Sequence, residues 1–351
     1  MKRSLSLFLV AAFALSLLAG CASGTVSNGS GSSAPGSDAS SAGQPDASIP
    51  AGQTDVNLMV LSGPTGVGAA KLLNDNELGA SNNHYNVTVA TDNSEVQAAL
   101  NNRSVDIAAI ATNAAAVLSA KNEESIQVLA VNTLGVLYIL EKGDTVHNLA
   151  DLAGKTLYCP SNTKGANPEH ILNHLLEGSG VAPSEVNIEW LTPQEITTQI
   201  ASADAGICML PVPAATALMV QDSGVREAVS LSEVWEDVEG SPLPMGCVVA
   251  RTAFIEENPQ AVEAFLEEYR QSIDYMNDPA NLADAAALVA GYGIAPNEKV
   301  AAAAIPQCSL TFLTGQEMRS VLEGYYEILF QAEPKSIGGG LPYDSFYYGL
   351  G

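Results

Sequence analysis

The alternation of short β-forming runs with helix patterns constrains this chain most, and it begins at residues 56–73, VNLMVLSGPTGVGAAKLL. The β-forming run ends in Ser62, Gly63, Pro64, Thr65 and Gly66, and a small-residue helix pattern follows at once. That order predicts a strand, a tight loop and a helix start. Backbone N–H groups in the first turn of a helix lack intrahelical partners and carry the positive end of its dipole. Such a corner can therefore take a small anion or polar group without a charged side chain. The glycines let the backbone come close. An ordinary strand-to-helix turn has the same signature, and the loop alone does not separate the two readings.

The pattern then repeats. Residues 85–90 read as a strand, 94–101 as a helix and 105–110 as a buried strand, after which Ala111, Thr112 and Asn113 open another helix. A strand at 126–131 is followed by the apolar run 134–140, whose ending in Glu141, Lys142, Gly143 and Asp144 reads as a crossover out of a first lobe. A second set starts with a short helix at 149–153, a strand at 155–159 and a loop at 160–167. Pro168 suits a first helical residue, so this loop repeats the opening corner. Strands at 186–191 and 205–210 flank a helix at 193–203, and Pro211, Val212 and Pro213 lead into a helix running to about residue 221. An apolar strand returns at 242–251, and 254–276, 281–290, 297–304 and 315–330 are helical in pattern. The C-terminal third is therefore expected to pack on the first lobe. Tyr343, Phe346, Tyr347 and Tyr348 lack basic neighbours and read as packing against that lobe rather than as a stacking platform. The fold class is α/β, with two mainly parallel doubly wound sheets joined by a two-strand hinge.

Lys2, Arg3 and the apolar run 5–18 form a secretory signal, too short to be a spanning helix. Leu18, Ala19, Gly20 and Cys21 resemble a bacterial lipobox, which implies lipidation of Cys21 as the first mature residue and an extracytoplasmic, membrane-anchored chain. Residues 22–54 are mostly Ser, Gly, Ala, Pro and Asp and cannot bury enough surface to offset their ordering entropy, so they read as a flexible tether. The expected organisation is a signal at 1–20, a tether at 21–54, a first lobe at 55–140, a second at 141–242 and a return to the first at 243–351. The formal net charge is −25, and loss of Lys2 and Arg3 with the signal makes it more negative by two. Without a basic run, nucleic acid is excluded as a partner.

His170 and His174 lie four apart on one predicted helix beside Glu169 and Glu177. Without a third ligand they read as a solvated helix flank and not a metal site. Four cysteines remain once Cys21 is set aside. Cys159 and Cys208 are expected to be reduced and buried. A bridge is the preferred pairing for Cys247 and Cys308, with buried free thiols as the alternative. No nucleophile–base constellation is visible, so the chain is not read as an enzyme, and no cofactor is expected.

The order of these parts resembles a type II solute-binding protein of an ABC importer. More narrowly, residues 61–66 (LSGPTG), 105–108 (VDIA), 132–138 (NTLGVLY), 151–156 (DLAGKT) and 165–169 (GANPE) resemble the nitrate, sulfonate, taurine and thiamine-precursor branch. The resemblance implies two lobes that close on a small solute and deliver it to permease and ATPase subunits, in a monomer tethered to the membrane. A receptor that signals to a membrane sensor is the alternative role. In α/β lobes, ligands sit outside the carboxyl ends of the strands. The candidate ligand-binding residues are therefore Gly63, Pro64, Thr65, Gly66, Thr112, Asn113, Asn132, Thr133, Ser161, Gly165, Ala166, Asn167, Pro211 and Met245, with hinges near 140–143 and 241–245. Lys164 is the only cation on these loops. That suits a monoanion or a polar neutral heterocycle better than phosphate, which usually recruits arginine.

Overall fold

The computed structural model describes residues 53–122 and 125–349, within one compact unit. Cys21, the signal and the tether up to residue 52 lie outside the described residues, whereas Gln53 and Thr54 at the expected end of the tether bond Ser81 and His84 of the folded part.

Strands β1 (Asp55–Leu61), β2 (His84–Ala90), β3 (Ile107–Ala111) and β4 (Ile126–Thr133) alternate with helices α1 (Pro64–Val67), α2 (Ala70–Glu77), α3 (Asn93–Asn101) and α4 (Thr112–Lys121). Next come β5 (Leu137–Lys142), β6 (Thr156–Pro160), α5 (Asn167–Gly178), β7 (Asn187–Leu191), α6 (Pro193–Ser202), β8 (Gly206–Pro211), α7 (Ala214–Gln221), β9 (Val225–Ser230) and α8 (Leu231–Glu239). The chain ends with β10 (Gly246–Arg251), α9 (Thr252–Glu257), α10 (Pro259–Asn277), α11 (Leu282–Gly291), α12 (Glu298–Ala304), β11 (Leu310–Leu313) and α13 (Gly315–Ala332).

Two sheets form, ordered β11-β4-β10-β3-β1-β2 and β7-β6-β8-β5-β9. Their organisation is the same. In the first, β1 runs parallel to β2 and β3, and β10 lies antiparallel between β3 and β4. In the second, β6 runs parallel to β7 and β8, and β5 lies antiparallel between β8 and β9. In each sheet the strand that has just arrived from the other lobe runs against its neighbours, and in the first sheet the edge strand β11 also lies antiparallel to β4. The fold class is the expected α/β: β1, β2, β3 and β4 of the first sheet run one way, as do β6, β7, β8 and β9 of the second, and the exchanged strand gives each sheet its mixed character.

The exchange also moves the first crossing. The apolar run expected to close the first lobe at residue 140 is β5, which hydrogen-bonds wholly within the second sheet. The chain crosses at 134–136, where a Cβ on Gly135 would stand 2.5 Å from the Ser232 side chain, so only glycine fits. Residues 140–142, in the stretch expected to be a hinge, are the end of β5. Glu141 is buried there, and its carboxylate accepts bonds from the Thr145 and Val146 N–H groups and pairs with Arg226. Residues 240–245 connect α8 to β10 of the first sheet.

Consecutive residues of β3 and β10 are buried, Ile107 and Val249 completely, as strands covered on both faces require. Two apolar clusters line the sheets, and each includes residues of both lobes: Leu137 and Ile139 belong to one, Tyr138 and Leu140 to the other. Asp106, in the VDIA motif, accepts 2.9 and 2.8 Å bonds from the Asn57 backbone and side chain and pairs with Arg251. That buried carboxylate ties β1, β3 and β10 together. Asp151 accepts from the His147 and Asn148 N–H groups and so fixes the turn into β6. Strand β9, helix α8 and strand β11 were missed by the sequence reading, because VREAVS and LTFL are short and lack clear alternation. Helix α13 packs on α5 and on β4, while α12 packs on α7, so the C-terminal helices touch the second lobe as well as the first. In the tail, Phe346 and Tyr347 are buried beside β4, whereas Tyr343 is exposed.

Candidate functional site

The opening corner is built by two glycines for different reasons. Gly63 has φ +94°, a conformation that side-chain-bearing residues avoid, and a Cβ on Gly66 would lie 2.1 Å from the Leu61 carbonyl oxygen. The helix that follows is α1, only four residues long, so its dipole is small. Gly63 N–H donates to Ile294 O at 3.1 Å, Pro64 has no N–H, and the N–H groups of Gly66 and Val67 return to Gly63 O. Thr65 N–H is left without a partner among the described residues. Its side chain is half-buried and free of hydrogen bonds to described residues.

Asn132 holds this corner from below. Its Nδ2 donates to Thr65 O at 2.9 Å and to the Tyr269 hydroxyl at 2.8 Å, and its Oδ1 accepts from Thr133 Oγ1 at 3.1 Å. With its polar atoms used, Asn132 positions the loop and does not present itself to a ligand. Thr133 O accepts from Met245 N–H at 3.0 Å, and Met245 O accepts from Thr112 N–H at 3.1 Å. Thr112 is fully buried, with Oγ1 donating to Pro244 O at 2.8 Å. The first lobe thus brings Thr65, Thr112, Asn113, Asn132, Thr133 and Met245 together at the ends of β1, β3, β4 and β10. Asn113, half-buried in the first turn of α4, makes no side-chain hydrogen bond to a described residue.

The second-lobe corner is different. Ser161, Lys164 and Gly165 are exposed, Ala166 is half-buried and Asn167 is buried. Gly165 N–H is capped by the Glu169 carboxylate, and Thr163 Oγ1 donates to Pro160 O at 2.6 Å. Asn167 Nδ2 donates to the Tyr325 hydroxyl of α13 at 2.7 Å, while Asn167 Oδ1 is buried without a partner. Lys164 leans over the Trp190 ring, 5.8 Å from its centroid. Pro211 ends β8, and the Val212–Pro213 peptide that follows is cis. Gly63 and Pro64 face Val212 and Pro213 across a cavity of about 10 Å³, closed by residues of α11 and α12. This apolar space holds one water at most.

The residues that join the lobes here were absent from the sequence reading. Tyr325 takes Asn167, its neighbour Tyr326 donates to Thr112 O at 2.9 Å, and the two rings are 5.6 Å apart. On the other flank, Gln307 accepts from Thr216 Oγ1 through its side chain and from the Tyr138 hydroxyl, at 3.2 Å, through its backbone. Aromatics at helical spacing usually mark core, so Tyr325 and Tyr326 carried no signal of their role. Burial pushes the Tyr325 hydroxyl well above the ordinary tyrosine range, so it stays protonated.

All four cysteines of the folded part are free and buried, which overturns the expected Cys247–Cys308 bridge. Cys247 and Cys308 belong to different apolar clusters. Burial pushes Cys159, Cys208 and Cys308 up to about 12, so these thiols are inert as nucleophiles. Among the described residues no group of three His, Cys, Asp or Glu side chains is placed to hold a metal ion, and no helix is long and apolar enough to cross a membrane.

Paired α/β lobes exchanging strands, with βα loops converging at the seam, define a two-lobed binding-protein fold. The structure is similar to an ABC transporter protein from Parabacteroides distasonis, with TM-score 0.69 and 22% identity over 84% of this chain and 99% of that one. It is also similar to the periplasmic aliphatic sulphonate binding protein SsuA from Escherichia coli, with TM-score 0.65 and 16% identity over 82% and 96%. The periplasmic nitrate-binding protein NrtA from Synechocystis gives TM-score 0.51 and 13% identity over 76% and 74%. The NMT1/THI5-like family pattern matches residues 86–281, more than half of the chain, and the chain belongs to that family. No curated protein matches it.

Proposed function

We propose that this chain is the extracytoplasmic solute-binding component of an ABC importer, which holds a small solute between its lobes and delivers it to permease and ATPase subunits. The observation that carries this reading is that Gly63 and Pro64 of one lobe face Val212 and Pro213 of the other, while Asn167 of the second lobe bonds Tyr325, whose neighbour Tyr326 bonds Thr112 of the first. A solute that touches both sides favours the closed pair over the open one. The similarity to sulphonate- and nitrate-binding proteins supports the same reading.

Thr65, Asn113 and Ser161 are the candidate side chains that remain free to meet a ligand, whereas Asn132, Thr133 and Thr112 set the backbone that carries them. Because Lys164 is drawn toward Trp190, the seam supplies hydroxyls, amides and N–H groups in place of a cation. That supports a monoanion of the nitrate, sulfonate or taurine type, or a polar heterocycle like a thiamine precursor. The chain acts as a binding protein and not as an enzyme, as a monomer without a cofactor, anchored to the membrane through lipid on Cys21.

A thermal-shift screen of the full-length chain against nitrate, taurine, alkyl and aryl sulfonates and pyrimidines tests this. A solute at 100 times its dissociation constant stabilises by about 2.7 kcal/mol, a readily measured shift. A response to none of them would count against the ligand class.

A further inference from the structure

Asn93 is the first residue of helix α3, just beyond the end of β2. In the first sheet β1 separates β2 from β3. Ala90, at the end of β2, stands level with Leu61 and accepts from the Ser62 N–H at 2.8 Å. Asn93 nevertheless reaches the end of β3, where its Oδ1 accepts from the Ala111 N–H at 3.0 Å. It therefore spans β1 and lies beside both the 62–66 corner and the 111–113 turn. These are the two parts of the first lobe that leave the Thr65 N–H and the Asn113 side chain without partners among the described residues.

The bond to Ala111 fixes what Asn93 can offer. A backbone N–H only donates, so the amide oxygen is the atom that faces Ala111 and the amide nitrogen is left on the other side. Nδ2 has no hydrogen-bond partner among the described residues, and in this half-buried residue it keeps contact with solvent. Asn93 is thus a donor of set orientation, whereas a free amide can turn to donate or to accept. The Thr65 N–H is donor only as well. The carboxylates nearest in sequence are spent on the helix start: Asp92 accepts from the Ser94 and Glu95 N–H groups at 2.8 and 3.0 Å, and Glu95 accepts from the Thr91 N–H at 3.1 Å.

We propose, on the reading that the solute sits at this seam, that Asn93 is a specificity-determining residue. Its Nδ2 donates to an acceptor oxygen of the solute, and together with the Thr65 N–H it selects an oxyanion head, a sulfonate or nitrate, over a neutral aminopyrimidine. Every oxygen of such a head accepts, so both donors are satisfied in any rotation of the solute. An aminopyrimidine sets an N–H donor beside its ring acceptor and turns that donor against one of the two.

The test is a calorimetric titration of the full-length chain with methanesulfonate, nitrate and 4-aminopyrimidine, in the wild type and in Asn93→Asp, Asn93→Ala and Thr91→Asp. Asn93→Asp keeps an acceptor for the Ala111 N–H and replaces only the donor. Its Tm is expected to stay close to that of the wild type, while its affinity for the anions falls more than tenfold. Asn93→Ala is expected to weaken anion binding roughly tenfold. Thr91→Asp puts the same charge on an exposed neighbour and is expected to cost far less, because solvent screens it. Anion binding as tight in Asn93→Asp as in the wild type would limit Asn93 to holding the Ala111 turn and overturn the proposal. So would an equal loss in Thr91→Asp, which would mean general repulsion of anions, or failure of both anions to bind. If 4-aminopyrimidine alone binds and Thr65→Val weakens it, the seam reading stands without this role for Asn93. Binding that neither Thr65→Val nor Asn93→Asp changes would remove both.

Discussion

The two strand-to-helix corners look alike in sequence and are built for different tasks. The first, at 63–66, is locked within its own lobe: Gly66 sits against the Leu61 carbonyl, and Asn132 clamps Thr65. The second, at 161–167, exposes Ser161, Lys164 and Gly165 and is held to the opposite lobe by the Asn167–Tyr325 bond. Its Gly165 has φ +66° and open space around it, so conformation and not crowding requires glycine there. One corner is held within its own lobe, and the other is tied to the opposite one.

The sharpest way to break this comparison is to add one methyl group to each corner. Gly66→Ala forces backbone to shift and is expected to cost about 3 kcal/mol in equilibrium unfolding, whereas Gly165→Ala should cost about 1 kcal/mol for its left-handed conformation alone. Equal losses would erase the distinction. Asn132→Ala strips donors from Thr65 O and Tyr269 and is expected to cost about 2 kcal/mol, together with weaker solute binding. Tyr325→Phe removes the acceptor of Asn167 and should cost about 1 kcal/mol. It should register more strongly as faster proteolysis in 161–167 than as a drop in Tm.

The smallest effect is on acid stability. Burial alone would raise the Glu141 carboxyl, but bonds from Thr145 and Val146, with Arg226 beside it, hold it below the ordinary glutamate range. A depressed folded pKa contributes stability that is complete above the unfolded value and is lost as pH falls through the folded one. Glu141→Gln should therefore lower stability at neutral pH and flatten the acid limb of the profile. An unchanged limb would mean that the buried Glu141–Arg226 pair contributes nothing to acid stability.

Much of the fold was legible because apolar runs and glycine loops mark α/β units locally. The strand at 137–142 was read correctly as apolar and placed in the wrong lobe, since which sheet a strand joins is decided by long-range pairing that no local pattern records. The candidate loops were placed at the strand ends where such folds gather ligands, yet the sequence could not say which polar side chains were already spent. Asn132 and Asn113 read alike. One has its polar atoms satisfied by Thr65, Tyr269 and Thr133, and the other makes no side-chain hydrogen bond to a described residue. The role of Tyr325 was invisible because it depends on α13 meeting a helix roughly 150 residues away in sequence.

The most direct test of the central claim is a calorimetric titration of the solute identified in the screen into the wild-type chain, Thr65→Val and Asn113→Ala. If the solute sits at the seam, both substitutions should weaken binding roughly tenfold, while unfolding stability changes by less than about 1 kcal/mol. Dissociation constants unchanged in both variants would place the solute elsewhere and contradict the account.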